Sequence, residues 1–534
     1  MLILHDISYK HPNRDLLFEK INITINDFDK VALIGNNGVG KSSLLKIISG
    51  ELKPSGGQLE TKVLPYYVPQ VYGQFKHLSI AQALGVDRKL AALREIIGGN
   101  AAEENFTTLN EDWAIEERCR EALMYWQLEN MDMNQQLDSL SGGQKTKVFL
   151  AGIQLHQPDF ILLDEPGNHL DFEGRQLLND FIQTTQSTLM VVSHDRKLLN
   201  LLNTVFELSR KGVAVYGGNY DFYALQKQVE TGALLSDLQS QEKELRKAKE
   251  KERETIERQQ KLDSRGKKQQ EKAGVAKIMM NTLRNNAEKS TAKLKYVHAE
   301  KIEGLSGELK NLRALIPAID QMKLSINDSF LHKGKILITG QGINYSYGSK
   351  PLWTSNQDIQ VTSGERIAIK GINGSGKSTL LGLIMGKMEP SSGKMVRAVF
   401  NVVNIDQEYS LISKDKTVYD QALLFNNGGL QEHEVKIRLH RFLFGKEDWD
   451  KTCRVLSGGE RLRLVLCCLT ILAQSPDMIV LDEPTNNLDI QNMDILINVI
   501  RDYKGTLLVV SHDEYFLQQV NIDRCIHLQS GFPT

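Results

Sequence analysis

The chain has 534 residues, 41% hydrophobic and 25% charged, an ordinary balance for a globular protein and enough for several domains. A net charge of -1 rules out whole-chain attraction to nucleic acid, so any basic surface must be local. No apolar run nears the roughly 18–20 residues that cross a bilayer, and Met1–Asp6 lacks the basic-then-apolar order of a signal peptide. Cys119, Cys453, Cys467, Cys468 and Cys525 are odd in number and lack metal-ligand spacing, as expected of reduced thiols in a cytoplasmic protein.

In chain order, the first strong element is Lys30–Ile34, an apolar run that reads as a strand. It leads into Gly35-Asn36-Asn37-Gly38-Val39-Gly40-Lys41-Ser42 and then Ser43, which opens a helical pattern. This fits the phosphate loop G-x-x-x-x-G-K-S/T. Its glycines let backbone N–H groups turn toward phosphate oxygens. Lys41 is expected to reach the β- and γ-phosphates, and Ser42 to hold Mg²⁺. A polar stretch near 88–113 reads as an insertion. Ser141-Gly142-Gly143-Gln144 then offers a hydroxyl and bare N–H groups ahead of a helix, a second anion clamp. The strand Phe160–Leu163 ends in Asp164-Glu165, which places two acids at the carboxyl edge of a parallel sheet. Asp164 suits magnesium, and Glu165 suits a general base that polarises water. A further strand from Thr188 to Val192 precedes His194, a candidate phosphate contact. Ser193-His194-Asp195 is no hydrolase triad, because adjacent residues cannot form a relay.

From about 224 to 325 the composition changes: one proline, Pro317, no tryptophan, and many Glu, Lys, Arg, Gln, Leu and Ala. Two long helices are predicted, 222–270 and 288–325, with a break around Gly274–Asn281. Between Lys261 and His298 ten Lys/Arg face three Asp/Glu. Such a basic hairpin suits RNA phosphates, with Lys267, Lys268, Lys272, Lys277 and Arg284 as candidate contacts. A solvated spacer is the competing reading.

Every motif then recurs in the same order. The second phosphate loop runs Gly371-Ile372-Asn373-Gly374-Ser375-Gly376-Lys377-Ser378, with Thr379 next. Ser457-Gly458-Gly459-Glu460 repeats the second clamp, Asp482-Glu483 the acids and His512 the histidine. The acid-to-histidine step is 29 residues in both copies, whereas Gln70 to Ser141 spans 71 residues and Gln407 to Ser457 spans 50. The chain is therefore expected to be α/β, with a first nucleotide-binding domain over 1–222, the hairpin linker over 223–325 and a second domain over 326–534.

Together these motifs resemble the ABC-type ATPases over about 1–220 and 335–534. The resemblance implies ATP and Mg²⁺ as cofactors and a head-to-tail pairing of the two domains within one monomer. It joins Gly35–Ser42 to Ser457–Glu460 and Gly371–Ser378 to Ser141–Gln144. It also assigns Gln70 and Gln407 to ATP and metal contacts beside Ser42, Asp164, Ser378 and Asp482. Tyr347 falls where an aromatic stacks on adenine, and the first copy offers Tyr9 or His11 for that position. More narrowly, the chain resembles the ABC-F class of ribosome-binding ATPases. It carries Glu-Pro-x-Asn-x-Leu-Asp at 165–171 and 483–489, and Tyr216-Gly-Gly-Asn-Tyr220 before the linker. Gly167 departs from the usual Thr, which Thr485 keeps. With 22 residues after His512, no carboxyl-terminal coiled coil is expected. The class implies a linker that enters the tRNA exit site of the ribosome, contacts rRNA and tRNA and, in some members, protects against antibiotics. The alternative is the ATPase subunit of a transporter with a separate membrane partner.

Overall fold

A computed structural model describes residues 1–11, 16–70, 74–129, 131–210, 212–272, 277–315, 331–348, 350–486 and 488–528. Within the linker, the side chains at 263, 266–291, 294, 295, 314 and 315 also lie outside the described set. The chain divides into two compact units: Met1–Tyr223 together with Lys323–Thr534, and Ala224–Met322.

The larger unit holds two α/β domains built alike. In the first, strands Tyr66–Val68, Phe160–Asp164, Thr188–Val192, Lys30–Ile34, Thr204–Ser209 and Gly212–Tyr216 lie side by side in that order. All neighbours are parallel except the last pair. In the second, Val402–Ile405, Met478–Asp482, Thr506–Val510, Arg366–Lys370 and Arg524–His527 form a wholly parallel sheet. The central strands are buried along their whole length, which is why they read as unbroken Val/Ile/Leu runs instead of alternating patterns. Their register repeats: Asp164 pairs with Val192, and Asp482 with Val510. Each domain adds a three-stranded antiparallel sheet, Leu2–Lys10 between Leu16–Ile25 and Gly56–Thr61 in one, Ile336–Asn344 between Gln357–Thr362 and Ser392–Arg397 in the other. These sheets pack their apolar faces onto the phosphate-loop helices Lys41–Ile48 and Lys377–Ile384. The extra residues of the first copy form two helices, Asp87–Ile97 and Glu103–Leu109.

The smaller unit holds the helix Tyr220–Lys272 from Ala224 onward, its first turn belonging to the larger unit, and the helix Lys277–Leu315. They pair through Arg313 and Glu242 at 2.6 Å and Gln241 and Glu308 at 3.4 Å. The second helix thus begins 11 residues before the predicted start at 288. Ile278, Met279 and Met280, read as part of the break, are helical. Leu, Lys, Arg, Glu and Ala, all good helix formers, recur from 277 onward. The side chains of Lys267, Lys268, Lys272, Lys277 and Arg284 lie outside the described residues. Among the described residues no helix is long and apolar enough to cross a membrane.

Candidate functional site

Both phosphate loops follow a buried strand and end in a left-handed glycine that starts a helix. Gly40 has φ 103°, and a Cβ there would stand 2.5 Å from the Leu17 side chain; only glycine fits. Gly376 repeats this at φ 88°. The Lys41 ammonium donates back to the carbonyls of Gly35 at 2.7 Å and Asn36 at 3.3 Å. Lys377 does the same to Gly371 at 2.8 Å and Ile372 at 3.1 Å. Each cation is thereby held inside the curl of its loop. The first-turn N–H groups of the helix have no acceptor within the helix and can serve an anion.

The acids sit at the strand ends beside these loops. The Glu165 N–H donates to the Val192 carbonyl at 2.9 Å, and that of Glu483 to Val510 at 2.8 Å. Both glutamates adopt φ 49°, a conformation that costs a non-glycine residue about 1 kcal/mol or more. The same strain in both copies turns each carboxylate out of its strand. Asp482 accepts from the Ser378 hydroxyl at 3.3 Å. Asp164 accepts from the Ser42 hydroxyl and from Tyr67 at 3.2 Å. Burial raises both aspartates above the ordinary range, against the pull of these hydroxyls and the lysines. Glu165 and Glu483 are only 9% and 8% exposed. Burial pushes Glu165 up to about 8, with Lys41 opposing, and Glu483 up to about 7, with Lys377 and Arg175 opposing. His194 Nε2 lies 3.2 Å from Glu165 Oε1, and His512 Nε2 lies 3.4 Å from Glu483 Oε1. Burial drives His194 far below its ordinary value and His512 down to about 4. Burial thus favours the uncharged imidazole in both contacts.

Asp164 Oδ1, Glu165 Oε1, His194 Nδ1 and His512 Nε2 are buried and lack a hydrogen-bond partner among the described residues. Leaving such atoms bare costs about 1–3 kcal/mol each, so they mark where polar ligand atoms fit. Acceptors beside a serine hydroxyl suit a hard cation, and the loop's N–H groups and lysine suit a polyphosphate. The residues present therefore fit magnesium and a nucleoside triphosphate.

Groups from both copies meet at each site. A cavity of about 370 Å³ is lined by His11, the loop residues Asn37, Gly38, Gly40, Lys41, Ser42 and Ser43, then Gln70, Asp164, Glu165 and His194, and by Gly458 of the second copy. The Asn37 N–H donates to Asp489 at 3.0 Å, and Asp489 also caps the helix Ile490–Asp502. In the other direction, Asn373 donates its side-chain amide to the His169 carbonyl at 3.1 Å. A Cβ on Gly143 would stand 2.6 Å from that carbonyl and 3.5 Å from Asn373 Nδ2. Each Ser-Gly-Gly segment thus lies with the opposite phosphate loop. Ser141 and Gln144 form a reciprocal cap on the helix Gly142–His156, and Ser457 and Glu460 form the same cap on Gly458–Ile471. The side chains of Gln144 and Glu460 are thereby occupied by their own helix, which is why Gln and Glu interchange there. A larger hollow of about 860 Å³, lined by Phe28, Tyr125, Phe160 and Phe181, lies at the opposite strand ends and contains no motif residue.

For the adenine position, Tyr9 is 8% exposed and packed in the core, while His11, just past the strand end, lines the cavity. Tyr347 is 59% exposed, and its hydroxyl lies 3.1 Å from that of Thr379. Gln407 is exposed, unlike Gln70, which is half-buried at the cavity. Sequence reasoning missed Tyr67, His169 and Asp489. His169 and Asp489 fall inside Glu-Pro-x-Asn-x-Leu-Asp, a motif noticed as a family mark and not as an interface. Thr485 lies 3.4 Å from the Ser511 hydroxyl, a contact for which Gly167 has no side chain.

Residues 18–168 and 354–486 match the family model described as ABC transporter. The ATP-binding protein Uup of Escherichia coli is 30% identical, over 96% of this chain and 78% of that protein. ABC transporter F family member 5 of Arabidopsis thaliana is 27% identical, over 94% of this chain and 71% of that protein. Among solved structures, the archaeal ribosome recycling factor aABCE1, in complex with the ribosomal stalk protein aP1, superimposes with a TM-score of 0.59 at 19% identity. It covers 98% of this chain and 87% of that one, a likeness of fold. With both motif sets intact and matched on one polypeptide, the chain belongs to the ATP-binding cassette family of ATPases, in its F class.

Proposed function

We propose that this ATPase clamps two Mg·ATP between its cassettes and, in that closed form, binds the ribosome near the tRNA exit site to act on translation. The observation that carries the clamp is the meeting of each phosphate loop with the other cassette's Ser-Gly-Gly segment, at Gly458 and at Gly143. Bound magnesium would supply charge neutralisation at the phosphates. Ser42, Asp164 and Gln70 would hold it at one site, and Ser378, Asp482 and Gln407 at the other. Lys41 and Lys377 turn from their loop carbonyls to the phosphates. Glu165 and Glu483, in their deprotonated form, accept the proton of attacking water. His194 and His512 donate to the terminal phosphate as neutral imidazoles, a state that burial favours. His11 and Tyr347 face the base.

The ribosomal part of the reading is supported by the basic linker, with ten Lys/Arg against three Asp/Glu between Lys261 and His298. It is also supported by the F-class relative and the ribosome recycling factor of like fold. Lys267, Lys268, Lys272, Lys277 and Arg284 would neutralise RNA phosphates. Protection of the ribosome from antibiotics is one form that this action on translation would take, and drug-independent action on elongation is the other. The test is sedimentation of the Glu165→Gln, Glu483→Gln chain with ATP on a sucrose gradient. It should travel with ribosomes, and the wild type should do so only with a non-hydrolysable analogue. A protein that stays at the top, and is captured instead by membranes, would support the transporter reading.

A further inference from the structure

Two residues after His194, Arg196 opens the short helix Arg196–Leu199, which Asp195 caps. Its side chain is 17% exposed and reaches in two directions. Toward the second cassette, the guanidinium donates to the Asp494 carboxylate and, at 2.6 Å, to the Tyr515 hydroxyl, and it lies 4.2 Å from the centre of the Tyr515 ring. Within its own cassette it lies 5.6 Å from the ring of Tyr220, the first residue of the long linker helix. A second tie comes from Asn200 at the end of the same short helix, whose side chain accepts from the Asp221 N–H at 2.9 Å. The segment that follows the active-site histidine therefore touches both the opposing cassette and the first turn of the linker helix.

The repeat has diverged at this place in a way that fits. After Ser-His-Asp the first copy has Arg196-Lys197 and the second Glu514-Tyr515. Lys197 pairs with Glu514 at 3.1 Å. Opposite partners at equivalent repeat positions favour pairing of unlike copies. Two first copies would bring Arg196 and Lys197 against their own charge.

We propose that Arg196 is a positioning residue that couples ATP-driven closure of the cassettes to the first turn of the linker helix. This rests on the reading that ATP closes the cassettes. Asp494 and Tyr515 arrive only with the docked second cassette, so Arg196 has contacts in the closed state that the open state lacks. Such a difference is what a population shift requires. A guanidinium fork fixed on both a carboxylate and a hydroxyl is also held in one orientation over Tyr220, which a lysine could not achieve.

The test is amide hydrogen exchange on the full chain, with and without a non-hydrolysable ATP analogue, followed at 37–43, 457–462 and 220–232. In the wild type the analogue should slow all three. In Arg196→Ala, slowing at 37–43 and 457–462 should persist, while the nucleotide-dependent slowing at 220–232 should fall by roughly fivefold or more. Tyr515→Ala acts from the other cassette, leaves the Arg196–Tyr220 contact in place, and should show the same loss even if Arg196→Ala fails to fold. Arg196→Lys should be intermediate. A variant whose exchange at 220–232 rises by the same factor with and without the analogue would mark a merely structural role and overturn the proposal. So would a wild type slowed at 37–43 and 457–462 but not at 220–232. Absence of slowing at 37–43 and 457–462 would instead defeat the ATP-closure reading itself.

Discussion

Replacing both Glu165 and Glu483 with Gln should nearly abolish turnover while leaving nucleotide binding intact. The substitution keeps shape and volume. The backbone bonds to Val192 and Val510 that fix each residue at the strand end do not involve the side chain. What is lost is the proton acceptor, worth about 10²–10⁴ in rate, or roughly 3–5 kcal/mol of barrier. Lys41, Lys377 and the loop N–H groups proposed to hold the phosphates are untouched, as are the serine–aspartate pairs proposed for magnesium. The cross-cassette bonds Asn37–Asp489 and Asn373–His169 hold both sites shut together. An unhydrolysed nucleotide in one site should therefore impede opening of the other, and each single variant should lose more than half of the turnover. Steady-state phosphate release at saturating ATP, with a fluorescent nucleotide to report binding, measures both effects. A double variant within about threefold of the wild-type rate would refute the assignment of these glutamates.

Stability of the nucleotide- and magnesium-free chain should depend on pH through the same carboxyls. Burial raises Glu165 from 4.5 to about 8, so between those values the folded chain keeps a proton that the unfolded chain has released, and stability falls as pH rises. His512, pushed down from 6.5 to about 4, acts oppositely and removes stability as pH falls through that range. In thermal melts Glu165→Gln should gain on wild type from pH ~5 to pH ~8; parallel curves would contradict the burial argument. Ser457→Ala should cost about 0.5–2 kcal/mol through loss of a helix cap, whereas Glu460→Gln should be nearly neutral, since Gln144 fills the same role in the first cassette; equal losses in chemical denaturation would refute the capping role. Reversing Lys267, Lys268 and Lys272 to Glu should weaken ribosome co-sedimentation and flatten its salt dependence. Changing Ile278, Met279 and Met280 to Ala should spare binding and impair the effect on translation, and normal behaviour of both variants would leave the linker a spacer.

Much of the site was legible because its chemistry is local. A phosphate loop needs left-handed glycines at fixed steps before a helix, and Gly40 and Gly376 occupy those steps. Asp164-Glu165 and Asp482-Glu483 could be placed because a buried parallel strand is a short apolar run with an abrupt end. Contacts between cassettes were not legible in the same way. Asn37 and Asp489 are 452 residues apart, and nothing in local propensity says that a helix-capping aspartate will also accept from a distant loop. What separates Tyr9 from His11, a core residue from one at the cavity, is where one strand ends. The start of the second linker helix was misjudged because Gly274 punctuates the pattern while the helix resumes within a few residues, at Lys277. The left-handed turn at each catalytic-site glutamate was also hidden, since nothing about Glu suggests it.

The claim that one ATP is held by both cassettes of a single chain can be tested by vanadate-directed photocleavage. Orthovanadate trapped with ADP takes the place of the terminal phosphate and, under ultraviolet light, cuts backbone beside it. With Lys377→Ala silencing the second phosphate loop, cuts should appear both within Gly35–Ser42 and within Ser457–Gly459. The yield should not change on dilution, as expected for pairing within one molecule. Cuts confined to Gly35–Ser42, with residues 457–459 intact, would contradict the composite site.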